Sequence, residues 1–199
     1  GFVASGFDSY YEEHNTTVNF KNKALLNSSK EQYTEAVLLG KVAPIGQCYR
    51  KEFLDEYVDF DTYINMNISI EDYPILVNMV MNIDFERINE SLHIYRVHDA
   101  SFSHQKNLDE LVFQKQEMKT LFEYFSKKYA FSSEIKKEYL HNHHKILLFY
   151  AGYFSNKKLG KDAYNNIESK SIKDRIHYLA SQYLTIRKLV SLRKKIKSR

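Results

Sequence analysis

The chain has 199 residues, 43% hydrophobic and 27% charged, with a formal net charge of +4 and a single cysteine. These values are those of a soluble globular protein, the single cysteine excludes an internal disulfide, and no run of about 18 uncharged apolar residues exists to encode a transmembrane helix. The charge is uneven: residues 185–199, TIRKLVSLRKKIKSR, hold seven Lys or Arg and no acid, leaving 22 basic against 25 acidic residues elsewhere. Such a tail, with apolar residues interleaved, reads either as a contact for anionic lipid or nucleic acid, or as a solvated helix end whose cations favour the C-terminal dipole. The lone Cys48 suits a reducing compartment and reads as a core thiol. The N-terminus has neither a Met nor the charged start and apolar centre of a signal peptide, so the chain is expected to begin partway into a longer gene product.

Along the chain, two regimes meet near Ser103. Before it, GFVASGF and YYEEHNTTVNF read as strands from their β-rich composition. SSKEQYTEAVLLG reads as a helix, with Ser29 and Gln32 spaced for a capping box and Gly40 as its stop. KVAPIGQCYRKEFLDEYV reads as an irregular connection into a short helix, and the acids of DFD, Asp59 and Asp61, as loop acids. Pro74 is compatible only with the first turn of a helix. That makes Asp72 the expected N-cap, with Ile75, Leu76, Met79, Val80 and Ile83 as the buried stripe behind it.

Beyond Ser103 there is no proline and helix signals dominate. Asn107 and Glu110 cap a helix reaching about Tyr129, with Leu111, Met118, Phe122 and Phe125 on one face. A second helix follows Ser133 and bears Ile135, Tyr139, Leu147 and Phe149. A third starts at Ser171, spaced for a capping box with Asp174. Its residues Ile172, Ile176, Leu179, Tyr183, Ile186 and Val190 alternate spacings of four and three, a heptad seam that asks for a partner helix in the same segment. HNHH sets His141 and His144 on one helical face, either an adventitious metal site or a partly exposed polar turn. None of the six glycines forms a phosphate loop.

The order of three segments carries a resemblance. YRKEFLDE reads as strand-like, IEDYP opens a helix, and DFERINESLHIYRVHDAS closes the region. Together they resemble the second half of the family 2 inverting glycosyltransferases of the GT-A fold, in Glu71, Asp72 and Tyr73, then Tyr95, Arg96, Val97, His98 and Ser101. The resemblance spans about Phe2 to His104. It implies an α/β chain: a partial GT-A-like mixed sheet with helices over residues 1–105, followed by an α-helical appendage over 106–199 with the basic tail.

Inversion by direct displacement needs one carboxylate to take the proton from the attacking acceptor hydroxyl. The resemblance assigns that base to Asp72. Glu71, about 100° around the helix from it, cannot duplicate the role, and with Tyr73 it is assigned acceptor positioning. A glycosidase would need two carboxylates flanking the bond, whereas a nucleotide-sugar donor leaves as an anionic diphosphate stabilised by a divalent metal and cations. Arg96 and His98 are the implied diphosphate contacts, and His98 the implied metal contact, with Mn or Mg as cofactor. Each residue also has a plainer reading: Asp72 as a helix cap, His98 as a turn histidine bonded to backbone, Arg96 as a solvated or ion-paired strand residue.

The implied partners are a nucleotide-sugar donor and a saccharide or lipid-linked acceptor, with an anionic membrane surface as a further contact and no nucleic acid. The implied location is the cytoplasm or the inner face of the membrane. Family members carry a nucleotide-binding half with an Asp-x-Asp motif ahead of the matched region, so that half is expected upstream and this chain alone is expected to be inactive. The alternative is a noncatalytic helical interaction module that binds nucleic acid or a membrane surface through the tail.

Overall fold

A computed structural model of the chain describes residues 1–19, 23–98 and 107–188. The protein is α/β, and it divides into a sheet-containing unit and a helical unit.

In the sheet unit, β1 (Phe2–Tyr11) is the central strand of a four-stranded mixed sheet. Asn15 takes the left-handed conformation at φ 45°, which short polar side chains tolerate, and turns the chain into β2 (Thr16–Val18), antiparallel to Ser9–Tyr11. The other end of the same edge, Phe2–Ala4, pairs antiparallel with β3 (Gln47–Tyr49). The opposite edge pairs along its whole length, in parallel, with β4 (Phe85–Val97). Ser5, Gly6 and Phe7 face Ile88, Ser91 and His93 in turn, so β4 carries extra residues as a bulge midway.

Helices α1 (Lys23–Leu26), α2 (Lys30–Leu38), α3 (Lys51–Tyr57), α4 (Phe60–Asn65) and α5 (Asp72–Asn82) accompany the sheet. The capping box read for α2 forms: Ser29 Oγ accepts from the Gln32 amide at 3.2 Å and Gln32 Oε1 accepts from the Ser29 amide at 3.0 Å. Gly40, at φ 66°, then turns the chain away. The buried core joins Phe2, Tyr33 and Phe85, with the Phe2 and Phe85 rings stacked at 4.9 Å. Helix α5 buries Leu76, Met79 and Val80 as its spacing predicts, while Ile75 and Ile83 are half-buried. Val77 and Asn78 are buried as well, so the helix is enclosed nearly all round. Asn78 survives burial because its amide is saturated: it donates to Tyr63 Oη and Pro74 O, both at 2.7 Å, and accepts from Tyr129 Oη and Lys128 Nζ.

Four sequence expectations are corrected in this unit. KEFLDEY is the helix α3 and not strand-like, while the preceding QCY is a strand. Asp59 is no loop acid; its carboxylate caps α4, accepting from the Thr62 amide at 3.1 Å and the Thr62 hydroxyl at 2.6 Å. The N-cap of α5 is Glu71, without a side-chain cap bond, and Asp72 is already helical. Cys48 is exposed on β3 and not a core thiol, because its neighbour positions Gln47 and Tyr49 take the inward face. The division of the chain also differs from a clean boundary at 105. Helix α6 (Leu108–Lys128) starts where Asn107 Oδ1 accepts from the Glu110 amide at 2.8 Å, but Thr120–Phe131 belongs with the sheet unit. The reason is aromatic packing: Phe125 lies 6.0 Å from Tyr63 and 6.2 Å from Tyr73.

The helical unit contains the first turns of α6 together with α7 (Ser133–Phe154), α8 (Lys157–Asn165) and α9 (Ile172–Gln182). Helix α8 is an element the sequence pattern does not announce; Ser155 in the left-handed region ends α7, and Asn156 caps α8. Leu148, Ala163 and Ile167 form the core here, flanked by the stacked pair Tyr164 and Tyr178. The heptad seam read for α9 does not pack. Ile172 is 78% exposed, Tyr183 57%, and Ile176 and Leu179 are exposed too, whereas Asp174, His177, Ala180 and Ser181 are buried. Glycines explain the choice. A Cβ on Gly152 would stand 2.7 Å from the His177 carbonyl oxygen, and one on Gly160 would overlap the Ser181 side chain. The helices approach so closely that only small or flat residues of α9 fit against them, and the bulky apolar ones turn outward. Val190, the last seam position, lies outside the described residues.

Candidate active site

The residues of the EDY motif sit at the start of α5. Tyr73 is buried, and its hydroxyl donates to the Leu38 carbonyl at 2.8 Å, tethering α5 to the end of α2. Glu71 is exposed, with backbone angles in the right-handed helical region. Asp72 keeps contact with solvent, and its Oδ1 accepts from the adjacent Tyr73 amide at 2.7 Å. Crowding of its carboxylate by surrounding atoms pushes the Asp72 pKa above the ordinary value, the negative charge of Glu71 adds to this, and the Tyr73 amide opposes it. A helix start alone would lower it; desolvation wins.

Behind Asp72 stands a buried phenol cluster. Burial, then Tyr33 and the charge of Asp72, push the Tyr49 phenol upward, and burial pushes Tyr33 up to about 12. Both phenols are therefore neutral donors at physiological pH. Tyr49 donates to Gln47 Oε1 and packs on Phe2 at 5.3 Å. Gln47, Tyr49 and Tyr33 carry no signal in the sequence, since the pairing of β1 with β3 and the packing of Tyr33, on α2, against Phe85 bring them to this place.

Arg96 and His98 are at the far end of β4, where Arg96 pairs with Tyr10 in register. Arg96 is held by Glu12, which follows β1: Nη2 donates to Oε1 at 2.7 Å and Nε to Oε2 at 3.1 Å, a two-pronged ion pair between exposed side chains. The Arg96 hydrogen bond lowers the Glu12 pKa, with a smaller contribution from the charge of His98. The plainer reading of Arg96 as an ion-paired strand residue thus describes its contact here. His98 is half-buried beside this pair, and Ser101 lies outside the described residues. Glu12 had no signal of its own, because it is 84 residues from its partner.

A third constellation lies between these ends. Ser5, buried on β1, places Oγ 3.0 Å from His93 Nδ1 and 3.1 Å from the Gly46 carbonyl. Gly46, at φ 77°, passes so close that a Cβ would come within 2.9 Å of Ser5 Oγ and 3.1 Å of His93 Nδ1. The trio pins the connection before β3 against the bulge in β4.

Among the described residues a divalent metal does not find a ligand set. Among the described residues no group of three or more His, Cys, Asp or Glu side chains is arranged to hold one. His98 lies near enough to Glu12 for its charge to act on that carboxylate, which Arg96 already engages. His141 and His144 are half-buried on α7 and line a shallow groove with Glu138 and Glu168, again without a ligand set. His143, between them, is the buried one, and burial with the nearby cations depresses its pKa to about 4. No helix among the described residues is long and apolar enough to cross a membrane. Comparisons with known protein families, with curated proteins and with solved structures find no match.

Proposed function

We propose that the chain is the acceptor-side part of an inverting glycosyltransferase that uses a nucleotide-sugar donor, with Asp72 as the general base. The observation that carries this reading is the state of Asp72. It is a carboxylate at the start of a rigid, enclosed helix, open to solvent, hydrogen-bonded only locally, and raised in pKa by its surroundings. A raised pKa makes the carboxylate a stronger proton acceptor, as an attacking hydroxyl requires. A structural cap would instead be expected to hold several hydrogen bonds and a depressed pKa.

The rest of the arrangement supports the reading in a coarser way. A mixed sheet flanked by helices is the architecture that the GT-A resemblance asks for. Glu71 stands beside Asp72 where it can orient an acceptor and keep the pKa of the base high. Tyr73 acts by fixing the helix through Leu38. Arg96, being exposed, reaches a diphosphate by exchanging Glu12 for phosphate oxygens, one charge-assisted pair for another. The described residues include no metal-ligand set, and this reading assigns metal stabilisation of the leaving group to the nucleotide-binding part of the enzyme.

The test is donor turnover with manganese and a panel of nucleotide sugars, by the protein expressed from its whole reading frame, for wild type and Asp72→Asn. The expected outcome is a loss of about a hundredfold or more in turnover with nucleotide binding retained. Equal turnover in the variant would move the base elsewhere. Absence of turnover with every donor in the wild type would favour a noncatalytic module.

A further inference from the structure

The exposed seam of α9 is the feature that the transferase reading leaves unused. Its apolar row, Ile172, Ile176 and Leu179, lies on the side of the helix opposite the buried Asp174, His177 and Ser181, and is continued past the helix end by Tyr183 and Leu184, which are 57% and 62% exposed. The contacts at Gly152 and Gly160 fix which face is inward, so the row cannot be satisfied by rotating the helix. Lys173 and Arg175 are exposed on its two flanks, Lys188 is exposed further on, and the sequence from 185 to 199 has seven Lys or Arg and no acid.

We infer that this face of α9 docks on an anionic phospholipid bilayer, with the apolar row entering the headgroup boundary and the exposed Lys173, Arg175 and Lys188 meeting lipid phosphates. The chemistry selects this occupant over the others. A convex helix face offers no groove for a peptide, but lies flat on a bilayer, and Lys and Arg stems extend along apolar surface while their heads reach phosphate. Nucleic acid would match the cations yet leave four aliphatic side chains against its backbone, with Tyr183 the one aromatic ring of the row to stack on a base. A second copy would bring two tails of like charge together over a row too small for a standard interface. The inference does not rest on transferase activity and survives the loss of it.

Vesicle flotation of the whole chain tests it, with phosphatidylcholine alone and with phosphatidylcholine containing about a third phosphatidylglycerol, at low and high salt. Binding is expected only to the anionic vesicles and to weaken with salt. Ile172→Ser with Leu179→Ser should reduce it by about tenfold or more with the thermal melt unchanged. Ile172→Ser alone, at the most exposed position of the row, serves if the double variant loses its melt, and should also weaken binding. Anionic binding that neither variant changes would assign it to charge alone and overturn the role of α9. Absence of binding to both vesicles would overturn the proposal outright, as would tighter binding to single-stranded RNA than to the anionic vesicles. A dimer seen by sedimentation that the same variants dissolve, without any vesicle binding, would instead make a second copy the occupant.

Discussion

Two aspartates stand in the first turn of a helix, Asp72 in α5 and Asp174 in α9, and their surroundings move them in opposite directions. Asp174 is buried, which by itself would raise its pKa. It nevertheless falls, because the carboxylate accepts from the Ser171 amide at 2.8 Å and the Ser171 hydroxyl at 2.6 Å, with Lys145 at 3.5 Å. Asp72 is less enclosed, yet its pKa rises, because one adjacent amide is too little to offset desolvation and the charge of Glu71. Burial alone does not set which way the pKa of a carboxylate moves. The number of donors facing the ionised form does.

The largest effect that would sharpen this contrast is on stability. Asp174→Ala is expected to cost about 2 kcal/mol at neutral pH, since it strips a capping box and leaves Lys145 without its partner. Its folded pKa lies below the unfolded one, so its contribution is present above the unfolded pKa and lost as pH falls through the folded pKa. The deficit of the variant, read as a shift in thermal melting, should therefore shrink in acid. Asp72→Asn should behave in the opposite sense. A raised folded pKa gives stability that is present below the unfolded value and lost as pH rises through the folded one. At neutral pH the neutral isostere is thus expected to melt at the same temperature or higher, while turnover collapses. A destabilised Asp72→Asn would break the comparison and return Asp72 to the role of a cap.

A smaller effect is expected at Ser171→Ala, about 1 kcal/mol, because the hydroxyl's two bonds with Asp174 are lost while the Ser171 amide and Lys145 still hold the carboxylate. Urea unfolding of the helical signal would measure it, and a cost equal to that of Asp174→Ala would mean that Lys145 contributes nothing. The smallest effect lies at the other helix. Glu71→Gln removes a charge that raises the Asp72 pKa, so with Asp72 as the proposed base the acid limb of the kcat/KM profile should move to lower pH. An unmoved limb would show that Glu71 does not act on the base.

Legibility in the sequence followed distance along the chain. The starts of α2 and α9 and the cap at Asn107 were readable because the interacting groups are three residues apart, within reach of a local pattern. Asp59 caps α4 at the same spacing, yet the acids of DFD read as loop acids, because the bond to Thr62 shows the cap only once the helix is in place. The seam of α9 was the more instructive failure. Its period marks a continuous apolar stripe, but a stripe says which residues share a face and not whether that face is inward. Gly152 and Gly160, on two other helices, made the decision by demanding a close approach.

The sequence by itself determined the helix boundaries set by caps, the α/β character, the basic tail and the chemical types available at the EDY motif, all properties of neighbouring residues or of composition. Only the tertiary structure decided the parallel pairing of β1 with β4, the capture of Arg96 by Glu12, the exposure of Cys48 and of the α9 row, and the direction in which the Asp72 pKa moves. Desolvation and packing depend on atoms that chain folding brings together from far apart, and no local pattern encodes how many of them will arrive.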